Sequence, residues 1–96
     1  MSTLYIIAYD ITANQTSDKR RAKIHKTLCA YGQWTQYSLF ECFLSEKQYL
    51  ELRARLEKYV AATQDSVRFY SLCKSCHAKV ETIGKPPPQE PILYLV

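Results

Sequence analysis

Residues 3–11 read Thr-Leu-Tyr-Ile-Ile-Ala-Tyr-Asp-Ile, apolar almost without a break from Leu4 onward. β-Branched and aromatic residues favour a strand, and the lack of polar alternation predicts a strand buried on both faces. Such a strand needs one layer above it and another below. The chain has 96 residues, enough for one core and no more. A domain of that size buries about 60–65% of the surface its unfolded chain exposes. A second copy of the chain is the natural source of the missing layer. The apolar run is also too short, and too polar at Asp10, to cross a membrane or act as a signal peptide, and no basic stretch precedes it. The expectation is a cytoplasmic protein without membrane contact, whose cysteines (Cys29, Cys42, Cys73, Cys76) are reduced thiols.

The polar stretch 12–17 reads as a loop, from which Thr16, Ser17 or Asp18 would cap a helix over 18–31. Ile24, Leu28 and Tyr31 share one stripe of that helix, and Gly32 stands where a C′ glycine would end it. Residues 34–44 are β-forming, either one kinked strand or a tight hairpin. Ser45-Glu46-Lys47-Gln48 matches a capping box and opens a second helix reaching about Ala62. Tyr49, Leu52, Leu56 and Tyr59/Val60 form its buried stripe, with Glu51 and Arg55 paired outside. Further strands are expected over 65–73 and 80–83. Prolines at 86, 87, 88 and 91 make 85–91 a stiff linker to the apolar residues 92–96. The expected division is a domain over 1–84, the linker 85–91 and a strand over 92–96 that docks on a sheet edge, the partner's by preference. The fold class is α+β: a ferredoxin-like βαββαβ sandwich with an extra C-terminal strand, paired sheet to sheet as a homodimer.

Three groups could carry chemistry. Asp10 ends the buried strand, a common place for metal-binding or acid–base carboxylates, although an Asx turn would use the same residue. Few other carboxylates lie in strands, so one chain cannot build a multi-carboxylate cage. A two-fold dimer would bring two copies of Asp10 together, and Mg²⁺ needs only one or two carboxylates. The second group is Lys19, Arg20, Arg21, Lys23 and Lys26. Residues 17–31 hold five basic residues and one acidic, so the whole net charge of +4 sits in this stretch. That density suits phosphate contacts, although a solvated helix face is the commoner use of such a run. Arg21 lies on the core-facing row with Ile24 and Leu28. The third group, Cys73-Lys74-Ser75-Cys76-His77, has the spacing of a haem attachment or half a zinc site. No second ligand pair accompanies it, so two reduced thiols at a strand end is the simpler reading.

Leu4-Tyr5-Ile6-Ile7-Ala8-Tyr9-Asp10-Ile11, Gln36-Tyr37-Ser38-Leu39-Phe40-Glu41 and Asp65-Ser66-Val67-Arg68-Phe69-Tyr70, in this order around the basic helix, resemble one family. It is the second of the two core CRISPR-associated proteins of spacer acquisition, often described as an endoribonuclease. The resemblance implies a ferredoxin-like homodimer with Mg²⁺ held by Asp10 of both protomers. It implies catalytic roles for Tyr9, Asp10, Arg21 and Phe40, with Lys23 also at a position linked to nuclease activity; the implied grip on a nucleic-acid backbone is one that the basic row of Lys19, Arg20, Arg21, Lys23 and Lys26 would serve. The implied partners are the CRISPR integrase subunit and duplex DNA, with single-stranded RNA as a second substrate. Lys23 stands where relatives often carry Arg, and a lysine cannot form the bidentate phosphate contact. The role implied is an adaptor that holds DNA for the integrase, with a metal-dependent endonuclease acting alone as the alternative.

Overall fold

The computed structural model describes residues 2–85. Its elements are β1 (Thr3–Asp10), α1 (Ser17–Cys29), β2 (Gln33–Gln36), β3 (Leu39–Leu44), α2 (Glu46–Glu57), β4 (Ser66–Leu72) and the one-turn α3 (Lys74–His77). The sheet runs β2-β3-β1-β4 with every neighbouring pair antiparallel. This is the ferredoxin-like arrangement expected from the sequence. The most apolar strand takes a central place, where both of its backbone edges are paired. Ile7 stands opposite Phe40 on one side and Phe69 on the other.

Alternation along β1 divides its side chains between two environments. Ile7 and Tyr9 face the helices and, with Ile11, join Ile24 and Leu28 of α1, Leu52 and Leu56 of α2, and Phe40, Cys42 and Leu44 of β3. Leu4, Ile6, Ala8 and Asp10 face the other way. That second face also carries Leu39 and Phe43 of β3 and Arg68, Tyr70 and Leu72 of β4. His77 of α3 packs its ring 5.4 Å from that of Phe43. Elsewhere on this face no described element forms a covering layer.

Several local expectations are met. Residues 34–44 form a hairpin of two strands, β2 and β3, joined at Tyr37-Ser38. Ser45 and Gln48 form the capping box in both directions. Other expectations are corrected. The second helix ends at Glu57 rather than near Ala62. The backbone N–H of Ala61 donates to the Asp65 carboxylate at 2.9 Å, and the chain turns there to enter β4. Arg55 does not form an ion pair with Glu51; its guanidinium reaches the Tyr31 hydroxyl at 3.3 Å, and the ion pair on this helix joins Arg53 to Glu57. Helix α1 has Thr16 at its N-cap without a side-chain cap bond; Asn14 and Ser17 close the loop before it instead.

Gly32 is not a left-handed C′ residue, since Gly84 is the one described glycine with positive φ. Its role is close approach: a Cβ at position 32 would stand 2.2 Å from Cys42 Sγ and 2.7 Å from the Glu41 carbonyl oxygen. Residues 80–83 form no strand. Cys73 caps the short α3, which directs the chain off the sheet edge before it reaches Val80. The C-terminal strand over 92–96, and the linker beyond Lys85, lie outside the described residues.

Candidate functional site

The C-terminal end of β1, the start of α1 and the β2–β3 turn meet at one corner of the sheet. Tyr9, Asp10, Ile11, Arg21, Tyr37 and Ser38 line a cleft there. A second cleft, on the open sheet face, is lined by Asp10 together with Ser66, Arg68 and Tyr70. Asp10 is exposed, and its carboxylate enters no hydrogen bond or ion pair among the described residues. A carboxylate left without a partner in the chain is open to contact by a cation.

Tyr9 and Asp10 are neighbours in sequence but point to opposite faces of the sheet. Tyr9 is buried, its hydroxyl 3.5 Å from His25 Nδ1. Burial raises the Tyr9 phenol above its ordinary pKa, and the nearby positive charge of Arg21 opposes part of that rise. Phe40 is fully buried, with its ring centroid 6.4 Å from Tyr9 and 5.1 Å from His25. These two residues therefore support the strand end from beneath, and Phe40 has no surface with which to touch a ligand.

The five basic residues of α1 divide by how their charge is used. Arg20 donates through Nε and Nη2 to both oxygens of Asp65, at 2.9 and 3.1 Å. It also reaches Asn14, Thr16 and the Thr12 carbonyl. Asp65 has a fully buried side chain and takes further bonds from the backbone N–H groups of Ala61 and Thr12. The Arg20 guanidinium, helped by those N–H donors and opposed by burial, holds its pKa down at about 2. Arg20 is thus committed to holding α1 on the loop before β4. Arg21 is half-buried, contacts Asp18 at 3.1 Å and donates to the Ile11 carbonyl at 3.4 Å. Lys23 stands 5.4 Å over the Tyr59 ring, while Lys19 and Lys26 are exposed. The row thus presents four cations to solvent or to the cleft, with Arg20 withdrawn.

The sequence reading missed Arg68, Asp65 and Tyr37 as parts of this corner. Arg68 sits one strand over on the Asp10 face, beside the Tyr70 hydroxyl. Strand alternation could have found it once the register was known. Among the described residues, no group of three or more His, Cys, Asp or Glu side chains could hold a metal ion. Among the described residues, Asp10 is the one carboxylate at this corner without a hydrogen bond or ion pair. Cys73 and Cys76 are exposed; the Cys76 N–H donates to Cys73 Sγ at 3.4 Å, and Ser75 Oγ lies 3.2 Å away. These contacts bring the Cys73 thiol down to about 7.

Residues 2–80 match the model of the family described as CRISPR associated protein Cas2. The chain is 40% identical over 88 residues to the CRISPR-associated endoribonuclease Cas2 1 of Synechocystis sp., covering 92% of this chain and 94% of that protein. Its structure is similar to that of Streptococcus pyogenes Cas2, with a TM-score of 0.73 and 32% identity over 84% of this chain and 99% of that one. A chain of a partial Cas6-RT-Cas1–Cas2 complex matches with a TM-score of 0.71 and 27% identity, covering 98% and 99% of the two chains.

Proposed function

The chain belongs to the family of CRISPR associated protein Cas2, and on that basis we propose that it serves CRISPR spacer acquisition as a homodimer that holds duplex DNA and bridges copies of the integrase subunit. The observation that carries this reading is the open sheet face. Ile6, Ala8, Leu39, Phe43 and Leu72 are only partly buried on it, and a second copy laid face to face would supply the absent layer. The similarity to a chain of a Cas1–Cas2 complex supports the integrase as the partner.

Duplex DNA would lie against Lys19, Arg21, Lys23 and Lys26, each neutralised phosphate releasing a counterion. Arg20 contributes by fixing α1 in place rather than by touching DNA. The test is reversal of Lys19, Lys23 and Lys26 to Glu with Arg20 left intact. Spacer acquisition should stop, and the salt dependence of duplex binding should flatten by about 0.9 per lost contact on a log–log scale. Unchanged acquisition in a folded triple variant would overturn the reading.

A second reading, metal-dependent cleavage of a phosphodiester, is favoured by the uncommitted Asp10 carboxylate sharing a cleft with Arg21. Asp10 of both protomers would hold Mg²⁺. The metal, when bound, supplies a Lewis acid and a water of lowered pKa. Arg21 and Arg68 would bind and neutralise the phosphate, while Tyr9 and Phe40 position the strand end. The name of the Synechocystis relative supports RNA as a substrate. Asp10→Asn should abolish cleavage of RNA by the purified dimer yet support acquisition. Cleavage that persists in Asp10→Asn sinks the nuclease reading alone.

A further inference from the structure

The β2–β3 turn carries an unusual residue. Tyr37 has φ of 46°, the one non-glycine with positive φ among the described residues. Two-residue hairpin turns that need positive φ favour Gly, Asn or Asp, because a Cβ is crowded there. A bulky aromatic in that position is strained, and such strain is kept where surrounding contacts enforce it. The Trp34 indole N–H donates to the Tyr37 carbonyl at 2.6 Å, and the Tyr9 N–H donates to the Ser38 carbonyl at 3.1 Å. Beneath Trp34, His25 packs edge-on at 5.4 Å, and His25 packs in turn on the buried Phe40.

The backbone of the turn is thus held from the core outward, yet the tyrosine ring it carries is left free. Tyr37 is 87% exposed, and its side chain enters no hydrogen bond or ring contact among the described residues. It stands on the wall of the same cleft as Asp10 and Arg21. A turn held in this way, presenting a bare aromatic face in the same cleft as the Arg21 guanidinium, suits a ligand with a flat ring and an anionic group placed on the Arg21 side, away from the Asp10 carboxylate.

The geometry points to Tyr37 as a stacking platform for one unpaired base, set beside the phosphate that Arg21 would engage. This deepens the nucleic-acid reading and rests on it. A base inside a duplex is covered on both faces by its neighbours, so the platform favours single strands. Stacking on an aromatic ring tolerates any base and serves RNA and single-stranded DNA alike. Contacts to the ribose 2′-hydroxyl would separate the two.

The test uses the purified full-length protein and dye-labelled 12-mers: single-stranded RNA, single-stranded DNA, the same DNA strand with abasic residues, and duplex DNA. Tyr37→Ala should weaken binding of both base-bearing single strands by about 5- to 100-fold. Abasic and duplex affinities should stay unchanged, and Tyr37→Phe should restore binding. Tyr37→Gly should match Tyr37→Ala in binding while raising the melting temperature, because glycine accepts the positive φ. A merely structural role would move stability without separating base-bearing from abasic strands. Native-like single-strand affinity in Tyr37→Ala overturns this inference alone. Native protein that binds none of the four oligonucleotides overturns the nucleic-acid reading and the platform with it.

Discussion

Asp10 ends β1 and Asp65 immediately precedes the neighbouring β4, so both lie at the same end of the sheet, with opposite uses. Asp65 accepts four hydrogen bonds, from Arg20, Ala61 and Thr12, whereas Asp10 faces water. Removing the Asp65 charge by Asp65→Asn should destabilise the fold by about 2–3 kcal/mol at neutral pH, because Arg20 loses its buried partner. The folded-state pKa of Asp65, about 2, lies below its ordinary 3.8. Its stabilising contribution is therefore complete above pH 3.8 and is lost as pH falls toward 2. Denaturation followed across that window should show a drop in the native protein that is smaller in Asp65→Asn. Thiol reactivity separates the cysteines in the same way. Cys73, near 7 and exposed, should alkylate first with iodoacetamide, at a rate that rises through pH 7. Cys42, pushed up to about 12 by burial, should react only on unfolding, which peptide mass mapping would show. Asp10 was legible in the sequence because a carboxylate ending an apolar strand is a local signal. The Arg20–Asp65 pair was not, since 45 residues separate its members.

At the scale of elements, local chemistry decided where strands and helices form, and contacts between them decided where they stop. The capping box of α2 is complete within four residues, Ser45 to Gln48, and could be read directly. Ser45→Ala should cost about 1 kcal/mol in chemical denaturation. The far end of α2 carried no such signal, because Ala61 is taken out of the helix by Asp65. Gly32 looked like a helix terminator, but its function is to let the start of β2 lie against β3. Gly32→Ala would place a methyl group against Cys42 Sγ and the Glu41 carbonyl, and should destabilise the protein by about 1–3 kcal/mol. Cys42→Ala removes the nearer contact and should recover part of that loss, as a double-mutant cycle would measure. A Gly32→Ala protein as stable as the native one would show that β2 is free to shift.

The described residues present two unlike surfaces: a helix face bearing Lys19, Lys23 and Lys26, and an uncovered sheet face on which Ile6, Ala8, Leu39, Phe43 and Leu72 outnumber Asp10, Glu41 and Arg68. If a second copy covers that sheet face, Ile6→Lys should leave secondary structure intact and shift the protein to monomer in sedimentation velocity. A dimer that persists in Ile6→Lys would place the interface elsewhere. The sequence by itself determined the strands and helices of the ferredoxin-like order, the central and nearly all-apolar character of β1 and the concentration of positive charge on α1. Those properties follow from neighbours along the chain, through periodicity, propensity and capping. Tertiary structure alone decided that Arg20 is spent on Asp65, that Tyr37 stands bare beside Asp10, that Arg68 joins the same corner, and that α3 leads 80–83 away from the sheet. Each depends on register and on contacts between distant segments, which the local pattern of residues does not specify.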